Sequence, residues 1–118
     1  SSMAGQMPVP FMSTYCATKA FPLYFAESLY GELADTGIDV LAVLPGDTST
    51  EFRETSDLTM KAPIPPRTAD DVAATTFKAL GKKPSVIDGL ANRIGARAMA
   101  LMPKKLLIRN NAKMWKRT

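Results

Sequence analysis

From Thr14 onward the apolar side chains Phe21, Phe25, Leu29 and Leu33 recur at every fourth position with alanine and glutamate between them, which is the period of a helix. Asp35-Thr36-Gly37 is expected to end it, because glycine is the natural residue just past a helix C-terminus. The pattern then changes. "IDVLAVL" at 38–44 is short, β-branched and almost continuously apolar, as in a strand covered on both faces, and Pro45-Gly46 stops it. "TADDVAATTFKAL" predicts a second helix with Thr68 as N-cap, acids in its first turn and Asp71 in place of the usual glutamate of a capping box; Gly81 closes it. "PSVIDG" reads as a second strand, and 90–102 and 104–117 as basic amphipathic helices divided by Pro103. Residues 1–13, rich in Ser, Gly, Pro and Met, read as a loop, and 47–66 as a polar, proline-rich, irregular or partly helical connection. No internal repeat or domain linker interrupts the chain.

Helix, strand, helix, strand in alternation argues for an α/β architecture with parallel strands. Two strands are too few, because "IDVLAVL" left as an uncovered edge would pair with other chains. Further strands are expected on the N-terminal side. The start of the chain fits that expectation: Ser1 is not an initiator Met, and neither a basic nor an apolar leader segment follows it. The sequence is therefore expected to begin in the middle of a domain.

Composition narrows the class. At 118 residues the chain is at most one domain, and 46% hydrophobic with 22% charged residues is ordinary for a soluble globular protein. No apolar run approaches the roughly 20 residues that span a bilayer. There is no histidine and only Cys16, which excludes an internal disulfide, His/Cys metal sites and histidine-based triads within these residues, so no metal is expected. One unpaired thiol fits a reducing, cytoplasmic setting. The net charge of +4 conceals a split: residues 1–88 carry seven basic and eleven acidic side chains, residues 89–118 eight basic and none acidic. Basicity belongs to the tail.

The chemistry concentrates in "SSMAGQMPVPFMSTYCATKAF". Tyr15 and Lys19 stand four apart and so stack on one helix face. A phenol ordinarily titrates at about pH 10 and is protonated at neutral pH; a neighbouring ammonium favours its anion, bringing it toward the range where a general acid/base works. A hydroxyl such as that of Ser2 would hold a substrate oxygen beside the phenol. The three suit proton transfer to or from a carbonyl or alcohol oxygen. Tyr-x-x-x-Lys alone is also a common pattern on solvated helices, so the surrounding phrase decides.

That phrase, continued by "ESLYGELADTGIDVLAVLPGDTSTEF", closely resembles the classical short-chain dehydrogenase/reductase family over about residues 1–52. The matching features are the serine thirteen residues before Tyr15, "YCATKA", the helix-to-strand passage, and Pro-Gly with Thr50 four residues beyond Gly46. The resemblance implies the C-terminal half of an NAD(P)-binding Rossmann-type domain, a doubly wound parallel sheet in a three-layer α/β/α arrangement, over residues 1–88, with 89–118 as a basic helical extension of the same domain. It implies an oxidoreductase that moves hydride between NAD or NADP and a carbonyl/alcohol substrate. Tyr15 takes the place of the acid/base, Lys19 of the residue that lowers its pKa and holds the nicotinamide ribose, and Ser2 of the group that polarises the substrate oxygen. Pro45-Gly46 resembles the turn shaping the nicotinamide pocket, Thr48 the position whose backbone meets the carboxamide, and Thr50 a hydroxyl that reaches the cofactor phosphates while capping a helix over "EFRET". The family's glycine-rich cofactor loop and its Asn-Asn-Ala-Gly segment do not occur in the 118 residues, and Gly89 and Gly95 are too far apart to serve. These parts are expected in a preceding half, without which this chain would be inactive and NAD stays undistinguished from NADP.

Four further features bear on packing, substrate and partners. Phe21, Phe25, Leu29 and Leu33 form either a core stripe or, by the resemblance, a face between the subunits of a homodimer or homotetramer. Pro22 inside the first helix removes one backbone bond and crowds the Thr18 carbonyl, a cause of kinks. Residues 51–66 resemble a substrate lid, with Leu58 and Met60 pointing to an apolar substrate. The tail 104–117 either docks through Leu106 and Leu107 with its charges in water or lies on an anionic membrane surface; no nucleic-acid reading motif accompanies it. The rival to an enzyme is a non-catalytic interaction module that works through this tail.

Overall fold

The structure, a computed structural model, describes residues 1–49 and 64–116. Met3–Gln6 make one turn of 3-10 helix, and α1 follows over Ser13–Glu32. Then come β1 (Ala42–Leu44), β2 (Thr48–Ser49), β3 (Arg67–Thr68), α2 (Ala69–Ala79), β4 (Ser85–Ile87), α3 (Leu90–Leu101) and α4 (Lys104–Trp115). The alternation of helix and strand is as the sequence predicts.

β1 and β4 pair in parallel, Ala42 opposite Ser85, Val43 opposite Val86 and Leu44 opposite Ile87. Strand side chains alternate between faces. Ala42 and Leu44 face α1, where Leu23 closes a small core with Ala26 and Ile87 around it. Ser85 lies on the same side and donates to Glu27 of α1 at 2.6 Å. Val86 points the other way; Asp88, two residues on, continues that side and accepts from Thr75 of α2. Helix, sheet, helix is thus the layering.

β1 is shorter than the strand expected over 38–44. A strand is defined by its partner, and this ladder begins where the Ala42 amide donates to Pro84; proline has no N–H to carry it further. A second parallel pair joins β2 to β3, Thr48 opposite Arg67 and Ser49 opposite Thr68.

α1 runs through Pro22 without a break and stops earlier than expected, at Glu32, with the Leu33 amide bonded to Leu29 and Gly37 at φ +75 in the turn beyond. What α1 buries is the line of Cys16 and Leu23, two turns apart. The core reading of the stripe fails at its two aromatic members: Phe21 is 72% and Phe25 56% exposed, and their rings stack on each other at 5.9 Å, while Leu29 and Leu33 are half-buried. At α2 the capping box forms in full, with the Thr68 hydroxyl accepting from the Asp71 amide and the Asp71 carboxylate from the Thr68 amide. α4 docks, but through Leu107 and Asn111 instead of Leu106 and Leu107. Leu107 and Asn111 are buried, and the Asn111 amide donates to the Pro8 carbonyl at 3.0 Å, while Leu106 stays 45% exposed.

Candidate active site

The first two turns of α1 present Tyr15 and Lys19 together. Lys19 Nζ lies over the Tyr15 ring, 5.6 Å from its centroid, and Tyr15 is 41% exposed, so its phenol is within reach of a ligand. Four residues of spacing on a helix suffice for this stacking.

Ser2 is brought to the same helix by its neighbours. Ser1 Oγ donates to the Lys19 carbonyl at 2.6 Å. Gly5 packs so close that a Cβ there would lie 2.7 Å from the Lys19 oxygen, inside any tolerable contact. Between these two anchors Ser2 caps the 3-10 turn, its Oγ accepting from the Ala4 amide at 3.3 Å. Accepting uses a lone pair and not the proton, so the hydroxyl can still donate to a substrate oxygen. The next residue ties this segment to the sheet: the Met3 amide donates to the Pro45 carbonyl at 3.3 Å.

That carbonyl belongs to the turn leaving β1, and each residue of the turn is held by a different element. Leu44 accepts from the Asp88 amide at 3.1 Å, Pro45 from Met3, and Asp47 from the Arg67 amide at 3.0 Å. The Gly46 carbonyl accepts from the Thr48 hydroxyl at 3.3 Å. Gly46 also lies against Asn92, whose Nδ2 would be 2.7 Å from a Cβ at this position. A side chain there would require Asn92 to shift.

Behind the turn sits a polar cluster. Asp88 is fully buried and accepts from Arg67 twice, Nε to Oδ2 at 3.0 Å and Nη2 to Oδ1 at 3.1 Å, and from the Thr75 hydroxyl at 2.5 Å. Asn92 Nδ2 donates to the Asp88 carbonyl at 2.8 Å. The paired bonds from Arg67 hold the Asp88 carboxyl below the ordinary carboxylate range; burial pushes it up, and the Thr75 bond adds to the lowering. The same bonds raise Arg67.

Of the residues singled out from sequence, Tyr15 and Lys19 share one face, Ser2 is tied to Lys19 and Pro45 through Ser1 and Met3, and Pro45 and Gly46 lie in the turn that the Thr48 hydroxyl, at the start of β2, reaches back to hold. Thr50 and the lid residues Leu58 and Met60 lie outside the described residues. Sequence reasoning missed Gly5, Arg67, Thr75, Asp88 and Asn92. A glycine three residues after the key serine is a signal of close backbone approach. Arg67, Thr75 and the Asp88–Asn92 pair lie eight or more residues apart along the chain, and no local pattern joins the three.

Comparison with known proteins bears on the same residues. The family model described as short chain dehydrogenase matches residues 1–61. A very-long-chain 3-oxoacyl-CoA reductase from Rattus norvegicus is 28% identical over 104 residues, 88% of this chain and 32% of the relative. A 7beta-hydroxysteroid dehydrogenase from Clostridium sardiniense is 30% identical over 115 residues, 97% of this chain and 44% of that one. A solved structure from work on 7beta-hydroxysteroid dehydrogenase stereoselectivity superposes with a TM-score of 0.82 at 30% identity, covering 95% of this chain and 45% of the other. The fold is thus a Rossmann-like α/β arrangement of parallel sheet and helices. The chain spans about a third of the length of the reductase and under half that of the dehydrogenase.

Proposed function

The chain belongs to the short-chain dehydrogenase family, and from that premise we propose that it forms the catalytic half of an NAD- or NADP-dependent oxidoreductase acting on a ketone or secondary alcohol. One observation supports this most: the two neighbours of Ser2 are bonded, Ser1 to the Lys19 carbonyl and Met3 to the Pro45 carbonyl, which ties Ser2 both to the helix that carries Tyr15 and Lys19 and to the Pro-Gly turn.

In this reading the Tyr15 phenol gives its proton to the substrate oxygen on reduction and takes it back on oxidation. Ser2 donates a hydrogen bond to that oxygen and fixes it beside the phenol. The Lys19 ammonium stabilises the negative charge left on the phenol oxygen. NAD or NADP, when bound, supplies or accepts the hydride. The donor set suits it: a phenol and an ammonium side by side on an accessible helix face match the vicinal hydroxyls of a ribose, and the turn at Pro45, Gly46 and Thr48 offers backbone groups to an amide. Thr50 would add a hydroxyl toward the phosphates.

The relatives named above act, by name, on an acyl thioester and on a steroid, so the substrate proposed here is a carbonyl carried on a large apolar body. Residues 1–88 would complete a cofactor domain and 89–118 extend it, in keeping with α4 docking on the loop at Pro8. The exposed Phe21 and Phe25 pair would face a second subunit of a homodimer or homotetramer in the cytoplasm. No described helix is long and apolar enough to cross a membrane. Lys105, Arg109 and Lys113 on the outer face of α4 are exposed and would take an anionic membrane surface as their partner.

The test is Tyr15→Phe in the full-length enzyme. Turnover should fall on the order of a hundred- to ten-thousandfold with cofactor affinity kept; undiminished turnover would overturn the assignment.

A further inference from the structure

The ion pair behind the Pro45–Gly46 turn brackets it. The Asp88 main chain donates to Leu44 and the Arg67 main chain to Asp47, so the two ends of the turn hang on the two members of one pair. Their side chains are joined by two hydrogen bonds at 3.0 and 3.1 Å. Inside the bracket, Asn92 is fixed by its bond to the Asp88 carbonyl, and its side-chain amide occupies the space that a Cβ on Gly46 would enter. Asp88 is also saturated: its carboxylate takes Arg67 on both oxygens and Thr75 on one, which leaves it no part in proton transfer.

We infer that Arg67, Asp88 and Asn92 are positioning residues that set the backbone of the Pro45–Gly46 turn for the nicotinamide end of the cofactor. The inference rests on the function proposed above and adds to it three residues that touch neither substrate nor cofactor. The physical reason is economy of motion. A turn whose carbonyls are all engaged cannot rotate its peptide planes, so its remaining groups stay aimed at a ligand without reorganisation on binding. Arg67 is suited to this because its planar fork fixes direction as well as charge, which lysine does not. Asn92 is suited because it is buried and bonded and therefore acts as a fixed wall for Gly46.

The experiment uses the full-length enzyme and titrates reduced cofactor by fluorescence alongside thermal melting and steady-state kinetics. Asn92→Ala opens space beside Gly46 without removing a charge. It should weaken cofactor binding roughly tenfold, the effect of about one hydrogen bond, with little change in melting. Gly46→Ala should weaken it at least as much, and the double variant with Asn92→Ala should bind more tightly than Gly46→Ala alone, because the wall that the new methyl strikes is gone. Arg67→Lys should lie between the parent and Asn92→Ala. Cofactor affinity unchanged in Asn92→Ala and Arg67→Lys, or no recovery in the double variant, would reduce the cluster to a purely structural role. Tyr15→Phe run in parallel separates the two claims: its retained turnover sinks the proposed function, whereas its lost turnover with unchanged affinity in the cluster variants sinks only the positioning role.

Discussion

The Pro45–Gly46 turn is held from two sides by unlike means. On the N-terminal side the 3-10 helix holds by shape: Gly5 lies against the Lys19 backbone, Ser1 bonds to the Lys19 carbonyl, and Met3 bonds to Pro45. None of these bonds involves a titrating group. On the other side Arg67, Asp88 and Asn92 hold by charge and amide bonds around a carboxylate with no exposure to solvent. The first support should fail when bulk is added and be indifferent to acid; the second should fail in acid. The contrast also guards against a common misassignment. A buried carboxylate with a displaced pKa beside a reactive site invites a catalytic role, yet the Asp88 shift comes from saturated pairing, and the accessible phenol on α1 is where chemistry has room to occur.

The largest effect should come from breaking the shape-held side. A Cβ on Gly5 would lie 2.7 Å from the Lys19 oxygen and 2.8 Å from its carbonyl carbon, both backbone atoms that cannot swing aside. Gly5→Ala in the full-length enzyme must therefore lift the 3-10 helix off α1 and carry Ser2 with it. Displacement of a positioning group by about 1 Å costs on the order of a hundredfold in rate, so kcat should fall by about that much while cofactor affinity changes less. A normal kcat in Gly5→Ala would mean that this contact does not place Ser2.

Acid should sharpen the other half of the comparison. The Asp88 carboxyl titrates lower in the folded protein than in the unfolded chain, so its contribution to stability is complete above the ordinary aspartate range near pH 4 and drains away as the pH falls through the folded value. Asp71 behaves in the same sense, held low first by the Thr68 amide. Urea midpoints of the intact protein between pH 6 and pH 3 should therefore fall on acidification. Asp88→Asn should start lower and fall less, whereas Gly5→Ala should start lower and fall as steeply as the parent. An acid slope untouched by Asp88→Asn would assign it to other carboxylates.

The two supports also differ in how far the sequence discloses them. The pair Tyr15 and Lys19 is legible because helical spacing converts directly into adjacency, and the Thr68–Asp71 capping box because all its atoms lie within one turn. Ser2 and Pro45–Gly46 are legible as a phrase, although the bonds that join them run through Ser1 and Met3, which carry no signal of their own. Arg67 and Asp88 are 21 residues apart, an arginine opening a short strand and an aspartate closing another; only the parallel pairing of β2 with β3 and β1 with β4 brings them together. The misread stripe has a similar cause. Periodicity reports that Phe21 and Phe25 share a face, but which face of α1 meets the sheet is decided by Leu23 fitting between Ala42 and Leu44.

The smallest effect tests whether the charge-held side extends into α2. Thr68 follows Arg67 directly and caps the helix whose Thr75 reaches Asp88. Thr68→Ala removes the hydroxyl that accepts from the Asp71 amide and should cost about 1 kcal/mol of stability, seen as a melting temperature lower by a few degrees, while Thr68→Ser keeps the cap and the stability. Arg67 keeps both bonds to Asp88 in either variant if the frayed turn stops short of β3, because the Arg67 amide is tied to Asp47 and not to the helix. Cofactor affinity should then stay at the parental value in Thr68→Ala. A loss as large as that of Asn92→Ala would instead make cap, ion pair and turn one cooperative unit, in which fraying at the start of α2 propagates through Arg67 to Gly46.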